Sequence, residues 1–115
     1  MEPNTDMQLG GNIVLTGFKE LDNGSLLILR KIIGNYARRM SDNSKGFEKL
    51  SLTLKHIHEV EKNKKFELHA KAIDSGNLHT AECTDKNVFI AVDTALKKVS
   101  TSMGLKWPVK IAKKK

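Results

Sequence analysis

FELHAKAIDSGNLHTAECT, residues 66–84, is the stretch that decides the fold. Polar and apolar residues alternate through its first half, which is the pattern of a half-buried strand. DSGN at 74–77 supplies hairpin-turn residues, and a second strand-like run follows it. The stretch therefore predicts an antiparallel hairpin with strands over 66–73 and 78–84.

The register of this hairpin follows from its turn. If Asp74 and Asn77 flank a two-residue turn, apolar residues meet on one face of the hairpin and polar residues on the other. The predicted core-side pairs are Leu68 with Cys83 and Ala70 with Ala81, and the solvent-side pairs are His69 with Glu82 and Lys71 with Thr80.

Three further elements precede the hairpin. NIVLTGF (12–18) is rich in β-formers and predicts a first strand. DNGS (22–25) supplies capping residues for a helix from about Ser25 to Met40. Its apolar residues recur at about 100° per residue and predict a buried stripe of Leu26, Leu29, Ile32, Ile33, Tyr36 and Met40. FEKLSLTLKHIHE (47–59) alternates in polarity and predicts a second strand.

A last helix follows the hairpin. We expect it to begin after Asp85 as the N-cap, with Asn87 as the alternative, and to stop at Gly104. Its predicted buried stripe comprises Val88, Phe89, Val92, Leu96, Val99 and Met103.

Together these elements predict an α+β fold in the order β-α-β-β-β-α. Two helices with one apolar face each must cover the one apolar face of a four-stranded sheet, so we expect them to pack in parallel, side by side, on that face. A right-handed crossover makes the first two strands parallel. The predicted domain spans residues 11–104, between a flexible leader (1–10) and a basic C-terminal tail (105–115).

Charge is concentrated towards the end of the chain. The 115 residues carry a formal net charge of +7, and seven lysines follow Asp93 with no acidic residue among them. Such a local excess predicts an acidic partner, nucleic acid first. The single cysteine, Cys83, excludes an internal disulfide, and no run of about 20 apolar residues is present to span a bilayer. We expect a cytoplasmic protein without a membrane partner.

The polar residues do not form a recognisable catalytic set. His56, His58, His69 and His79 lack the convergence that zinc requires, because His69 and His79 fall on opposite faces in the predicted register. Cys83 is expected to be a small core residue. No phosphate loop, paired carboxylates or nucleophile–base arrangement is evident. We therefore predict no enzyme activity, no cofactor, no metal and no small-molecule substrate.

Cations on the predicted helices are the strongest remaining signal. With no acid expected on the exposed helix faces, they would form one basic plane that contacts nucleic-acid phosphates without reading bases. Folded RNA suits a broad plane better than DNA does, since RNA is recognised largely by shape. The predicted contact residues are Arg30, Lys31, Arg38, Arg39, Lys97, Lys98, Lys106 and Lys110.

Three segments carry a family resemblance, namely NIVLTGF (12–18), LSLTLKHIHEVEKNKKFELHAKAI (50–73) and LHTAECTDKNVFIAVDTALKKV (78–99). They resemble the short ribosome hibernation promoting factors and the related protein Y, most closely in the run from Ala81 to Asp93 and in the Lys97-Lys98 helix end. The resemblance covers about residues 11–103, in the same element order. Phe89 stands where the family often has tyrosine, and Leu27 and Ile28 stand where it is usually more charged.

The resemblance implies a function that composition alone does not. Members of the family bind the small ribosomal subunit in the mRNA channel, over the A and P sites, and inhibit translation in stationary or stressed cells. Their basic helical surface contacts rRNA, and we expect this chain to be a monomer away from the ribosome. The first alternative is a general structured-RNA-binding protein that uses the same surface. A small metal-dependent enzyme is a more distant alternative.

Overall fold

The computed structural model describes residues 6–8, 12–58 and 64–105. Its elements in chain order are β1 (Asp6–Gln8), β2 (Ile13–Thr16), α1 (Asn23–Asn43), β3 (Phe47–His58), β4 (Lys64–Asp74), β5 (Asn77–Asp85) and α2 (Val88–Ser102). The predicted α+β fold, with its β-α-β-β-β-α order, is confirmed by β2 to α2. In the described part of the chain, neither helix combines the length and the apolar character that crossing a membrane requires.

The strands form one mixed sheet in the order β1-β2-β3-β4-β5. β2 and β3 are parallel, as predicted, and all other neighbours are antiparallel. The prediction of a leader over residues 1–10 missed β1, which adds a fifth strand at the outer edge of β2. A strand of three residues is too short to show the alternation by which a sequence reveals a strand.

The hairpin of β4 and β5 has the predicted register. Leu68 pairs with Cys83, His69 with Glu82, and Asp74 with Asn77. Ser75 and Gly76 have φ angles of 53° and 81°. Two successive positive φ angles match the turn that best follows the twist of a two-residue hairpin.

A single hydrophobic core lies between one face of the sheet and both helices. Leu52 of β3, Leu68 of β4 and Val92 of α2 are fully buried, as predicted. The strand residues between the buried ones point to the other face, which no described element covers. The helices therefore lie on one side of the sheet and leave the opposite side open.

Capping side chains set where each helix begins. Asp22 accepts hydrogen bonds from the Ser25 backbone N–H at 3.0 Å and from the Ser25 hydroxyl at 2.8 Å. These bonds lower the pKa of Asp22, so their stabilisation is present above the ordinary aspartate pKa and is lost as pH falls through the lowered value. α1 runs to Asn43, three residues beyond the predicted Met40.

The preferred N-cap prediction for α2, Asp85, is wrong. Asn87 caps the helix by accepting from the backbone N–H groups of Phe89 and Ile90. Asp85 instead accepts from the Asn87 N–H at 2.8 Å and so holds the capping residue in place. At the other end, Gly104 has a φ of 86° and the Leu105 N–H donates to the Ser100 carbonyl, which is a Schellman ending.

Gly17 is required where the chain leaves β2. Its φ is +83°, and a Cβ atom there would collide with the backbone carbonyl oxygen of Leu54 on β3. Gly34, within α1, has a helical conformation and no heavy atom within 4 Å of an added Cβ. Adding a methyl group should therefore affect the free energy of unfolding very differently at the two glycines.

We predict opposite effects of the same substitution at these glycines. Gly17→Ala lowers the free energy of unfolding by about 2 kcal/mol or more, because the backbone must leave the left-handed region or the strands must separate. Gly34→Ala raises the free energy of unfolding by about 0.5–1 kcal/mol, because alanine loses less conformational entropy than glycine when the helix forms. Urea denaturation of both variants measures this, and equal effects of the two substitutions would contradict the described β2–α1 connection.

Candidate nucleic-acid interface

The cations of α1 lie on its solvent side, but they point in different directions. Lys31 and Arg38 are exposed and lie opposite the buried stripe. They are seven residues apart, which places them on one helix face about 10 Å from each other along the axis. Arg30 and Arg39 are also exposed. They are nine residues apart, which places them about 180° from each other around the helix axis, on opposite flanks of α1.

α2 presents only one of its paired lysines to the same side. Lys97 lies opposite the buried residues of α2 and is exposed. Lys98 is rotated by about 100°, and its Nζ atom donates to the Glu82 carbonyl of β5 at 3.2 Å. Lys98 therefore lies at the edge of the sheet, whereas Lys97 belongs to the outer face of the helix layer.

The expectation that no acid would lie on the exposed helix faces is wrong. Asp93 of α2 forms an ion pair with Lys97, with 3.4 Å between Nζ and Oδ2. Asp42 is exposed in the last turn of α1, which the prediction had ended at Met40. It lies with Asn35, Arg38, Arg39 and Asn43 around a polar depression at this end of α1. The outer face is thus basic but locally neutralised.

A hydrogen bond joins the two helices at the centre of this face. The Tyr36 hydroxyl donates to Asp93 Oδ1 at 2.7 Å, and the Tyr36 side chain is otherwise buried. A buried tyrosine needs a partner for its hydroxyl. The same carboxylate therefore fixes α1 against α2 and positions Lys97. Sequence reasoning placed Tyr36 in the buried stripe but did not identify Asp93 as its partner.

Exposed apolar side chains interrupt the basic surface. Leu27 and Ile28 on α1 are 59% and 51% exposed, and Ile90 on α2 is 50% exposed. The N-terminal half of each helix therefore carries apolar side chains on its outside. Among the described residues, the cations that lie opposite the buried stripes of the two helices are Lys31, Arg38 and Lys97, which we call the helix cation set. Lys106 and Lys110, also predicted as contacts, lie outside the described residues.

The open sheet face carries a second polar cluster. His69 of β4 lies between Glu67 on its own strand and Glu82 on β5: its Nε2 atom contacts Glu67 Oε2, and its Nδ1 atom is 3.3 Å from Glu82 Oε1. His79 lies on the helix side, as the register predicted, and its Nδ1 atom contacts the Ser102 hydroxyl at 2.8 Å. The metal-site prediction rested on the four histidines alone, so it did not include the two carboxylates around His69.

His56 and Cys83, two other potentially reactive side chains among the described residues, make contacts typical of structural residues. His56 packs edge-on against Phe66, with 5.1 Å between the ring centroids. Its Nε2 atom is 3.5 Å from Glu20 Oε1, which permits an ion pair if the imidazole is protonated. Cys83 is half-buried at the margin of the core, as expected from its place in the hairpin.

Comparison with known proteins adds no identification. No protein-family model matches the chain, and no curated protein matches it. The resemblance to the hibernation factors therefore remains a hypothesis carried by the motifs given above.

We predict that Asp93→Asn strengthens RNA binding without loosening the helix pair. The asparagine oxygen still accepts from Tyr36, while Lys97 loses its counter-charge. Binding of a structured RNA at low salt should tighten at least about twofold, and the gain should vanish at high salt because the charges are exposed. Fluorescence anisotropy measures this, with Glu82→Gln as the control that removes one charge from the opposite face. A gain of equal size in the control would contradict a role for the helix face.

Proposed function

We propose that the protein is a ribosome-associated translation inhibitor, a hibernation factor that binds small-subunit rRNA in the mRNA channel over the A and P sites. It acts without covalent chemistry, by occupying the space that mRNA and tRNA need. Its place of action in this proposal is the cytoplasm of stationary or stressed cells. Its RNA-facing surface is the outer side of α1 and α2.

One observation carries the proposal: the helix cation set projects from one side of a two-helix layer whose members are joined by the Tyr36–Asp93 hydrogen bond. Cations held on packed helices can meet phosphates at fixed spacings with little further ordering cost. Phosphate contacts of this kind provide affinity and orientation without base specificity. This suits a partner that is recognised by the shape of folded RNA.

The sequence motifs shared with the hibernation factors support the ribosome, rather than RNA in general, as the partner. The run from Ala81 to Asp93 comprises the end of β5, the Asn87 cap and the first turns of α2, and it leads directly to Lys97. Within this run, Ala91 and Val92 are buried and therefore help to hold α2 on the sheet. Lys97, which follows this run, is exposed on the outer side of α2 and can therefore contact RNA.

Asp93 reduces the positive charge of the helix face and so increases its selectivity between polyanions. A carboxylate within an otherwise cationic face weakens attraction to arbitrary polyanions, because part of the charge is already balanced. Discrimination then depends on how well phosphates match the helix cation set. This favours binding to one shaped RNA site over indiscriminate binding.

We predict that reversing charge on the helix face strongly weakens binding to small subunits. Lys31→Glu combined with Arg38→Glu should lower the affinity at least about 30-fold and reduce the salt dependence by about two phosphate contacts. The matched control, Lys49→Glu with Lys71→Glu, makes the same change in net charge at exposed positions of the open sheet face. It should change the affinity less than about threefold. Sedimentation with purified subunits over a salt series measures both.

The same assay separates the ribosomal proposal from general RNA binding. Subunits already filled with mRNA and P-site tRNA should exclude the protein if it binds over the A and P sites. Equal binding to filled and empty subunits would instead indicate a general structured-RNA-binding protein. Equal losses in the two double variants would show that total charge, rather than the helix face, determines binding.

A further inference from the structure

Glu67, His69 and Glu82 form a compact group on the open face of the sheet. Glu67 and His69 are two residues apart on β4, and Glu82 is the direct cross-strand partner of His69 on β5. One ligand atom from each residue lies within 4.8 Å of the other two. The group stands on paired strands within a hairpin, so the backbone fixes the spacing of the three side chains.

The contacts of His69 call for a positive charge between the side chains. Each ring nitrogen of His69 faces a carboxylate oxygen, Glu67 on one side and Glu82 on the other. A neutral imidazole has a proton on only one nitrogen, so the lone pair of the other nitrogen points at a carboxylate. A cation bound at one ring nitrogen, with the ring proton on the other nitrogen, relieves this repulsion.

We propose that Glu67, His69 and Glu82 bind a divalent transition-metal ion of the Zn²⁺ class. Two ligand atoms bound to one tetrahedral zinc ion at about 2.0–2.1 Å lie about 3.3 Å apart. The ligand atoms of the group now lie within 4.8 Å of one another, so the widest pair must close by up to about 1.5 Å, while the closer Glu67–His69 contact must open. Glu82 can supply the movement, since its side chain is 66% exposed, whereas that of Glu67 is 27% exposed.

The chemistry of the three ligands favours this class of ion over others. An imidazole with carboxylates suits zinc and similar borderline ions, whereas magnesium and calcium prefer all-oxygen sites. The two carboxylates would balance both charges of the ion. Three protein ligands leave the solvent side of the ion open, so a water or a group from a partner can take the fourth position.

The surroundings of the site are polar and separate from the helix face. Thr53 of β3 pairs with His69 in the sheet, and Lys55 and Lys71 are exposed on the same face. The ammonium groups of these lysines can also balance the charge of Glu67 and Glu82. A metal ion must therefore compete with them for the two carboxylates. Because the site lies across the sheet from the helix cation set, this proposal does not depend on the proposed RNA-binding function.

Zinc titration of the chelator-treated full-length protein tests the proposal. Isothermal titration with Zn²⁺ should show one site per chain that is lost or weakened at least about tenfold in His69→Ala, since even outer-shell changes at metal sites cost 10–100-fold. Glu82→Gln, an exposed and isosteric change, should weaken binding in the same direction. His79→Ala removes a histidine from the helix side and should leave this site unchanged.

NMR gives a second readout at the ring itself. Zinc should shift the His69 imidazole resonances of the wild-type protein at one equivalent, and the shift at the same concentration should be clearly smaller in Glu82→Gln. The proposal is overturned if the wild-type protein takes up no stoichiometric zinc. It is equally overturned if His69→Ala and Glu82→Gln, both shown to be folded by circular dichroism, bind zinc as tightly as wild type.

Discussion

The structure depends on one constraint: the sheet has a single apolar face. In β3, Leu50, Leu52 and Leu54 are buried, while Ser51, Thr53 and Lys55 between them point to the other side. Burial of apolar area is the main driving force for folding, so both helices must cover the same face. The outer side of the helices and the open side of the sheet then become two opposite surfaces. Each can carry its own chemistry without sharing residues with the other.

The two surfaces differ in how they hold charge. On the helix side, Asp93 joins Tyr36 and Lys97, so one carboxylate both fixes the helix pair and moderates its basic face. On the sheet side, Glu67 and Glu82 converge on His69, and acids outnumber cations within that group. A phosphate-rich partner therefore suits the first surface, and a divalent cation suits the second. The chain has a strong net positive charge, but its distribution rather than its total decides these assignments.

How far the sequence predicts the structure varies with the kind of interaction. The register of β4 and β5 was predictable because a two-residue turn fixes the pairing of every later residue. The cap of α2 was not, since Asp85 and Asn87 are both good capping residues and only the local backbone decides between them. β1 escaped prediction because its three residues are too few to show the alternation of a strand. The Tyr36–Asp93 bond and the Glu67–His69–Glu82 group depend on side chains from different elements, which a reading of each element alone does not bring together.

We propose that the outer side of α1 and α2 faces rRNA while the open side of the sheet faces away. Tethered hydroxyl-radical cleavage tests this most directly. An iron chelate would be attached to Lys31→Cys or to Thr80→Cys, each combined with Cys83→Ala, and bound to small subunits. The account predicts strong, localised rRNA cleavage from position 31, in the mRNA channel near the A and P sites, and much weaker cleavage there from position 80. Stronger cleavage from position 80, or no localised cleavage from position 31, would contradict it.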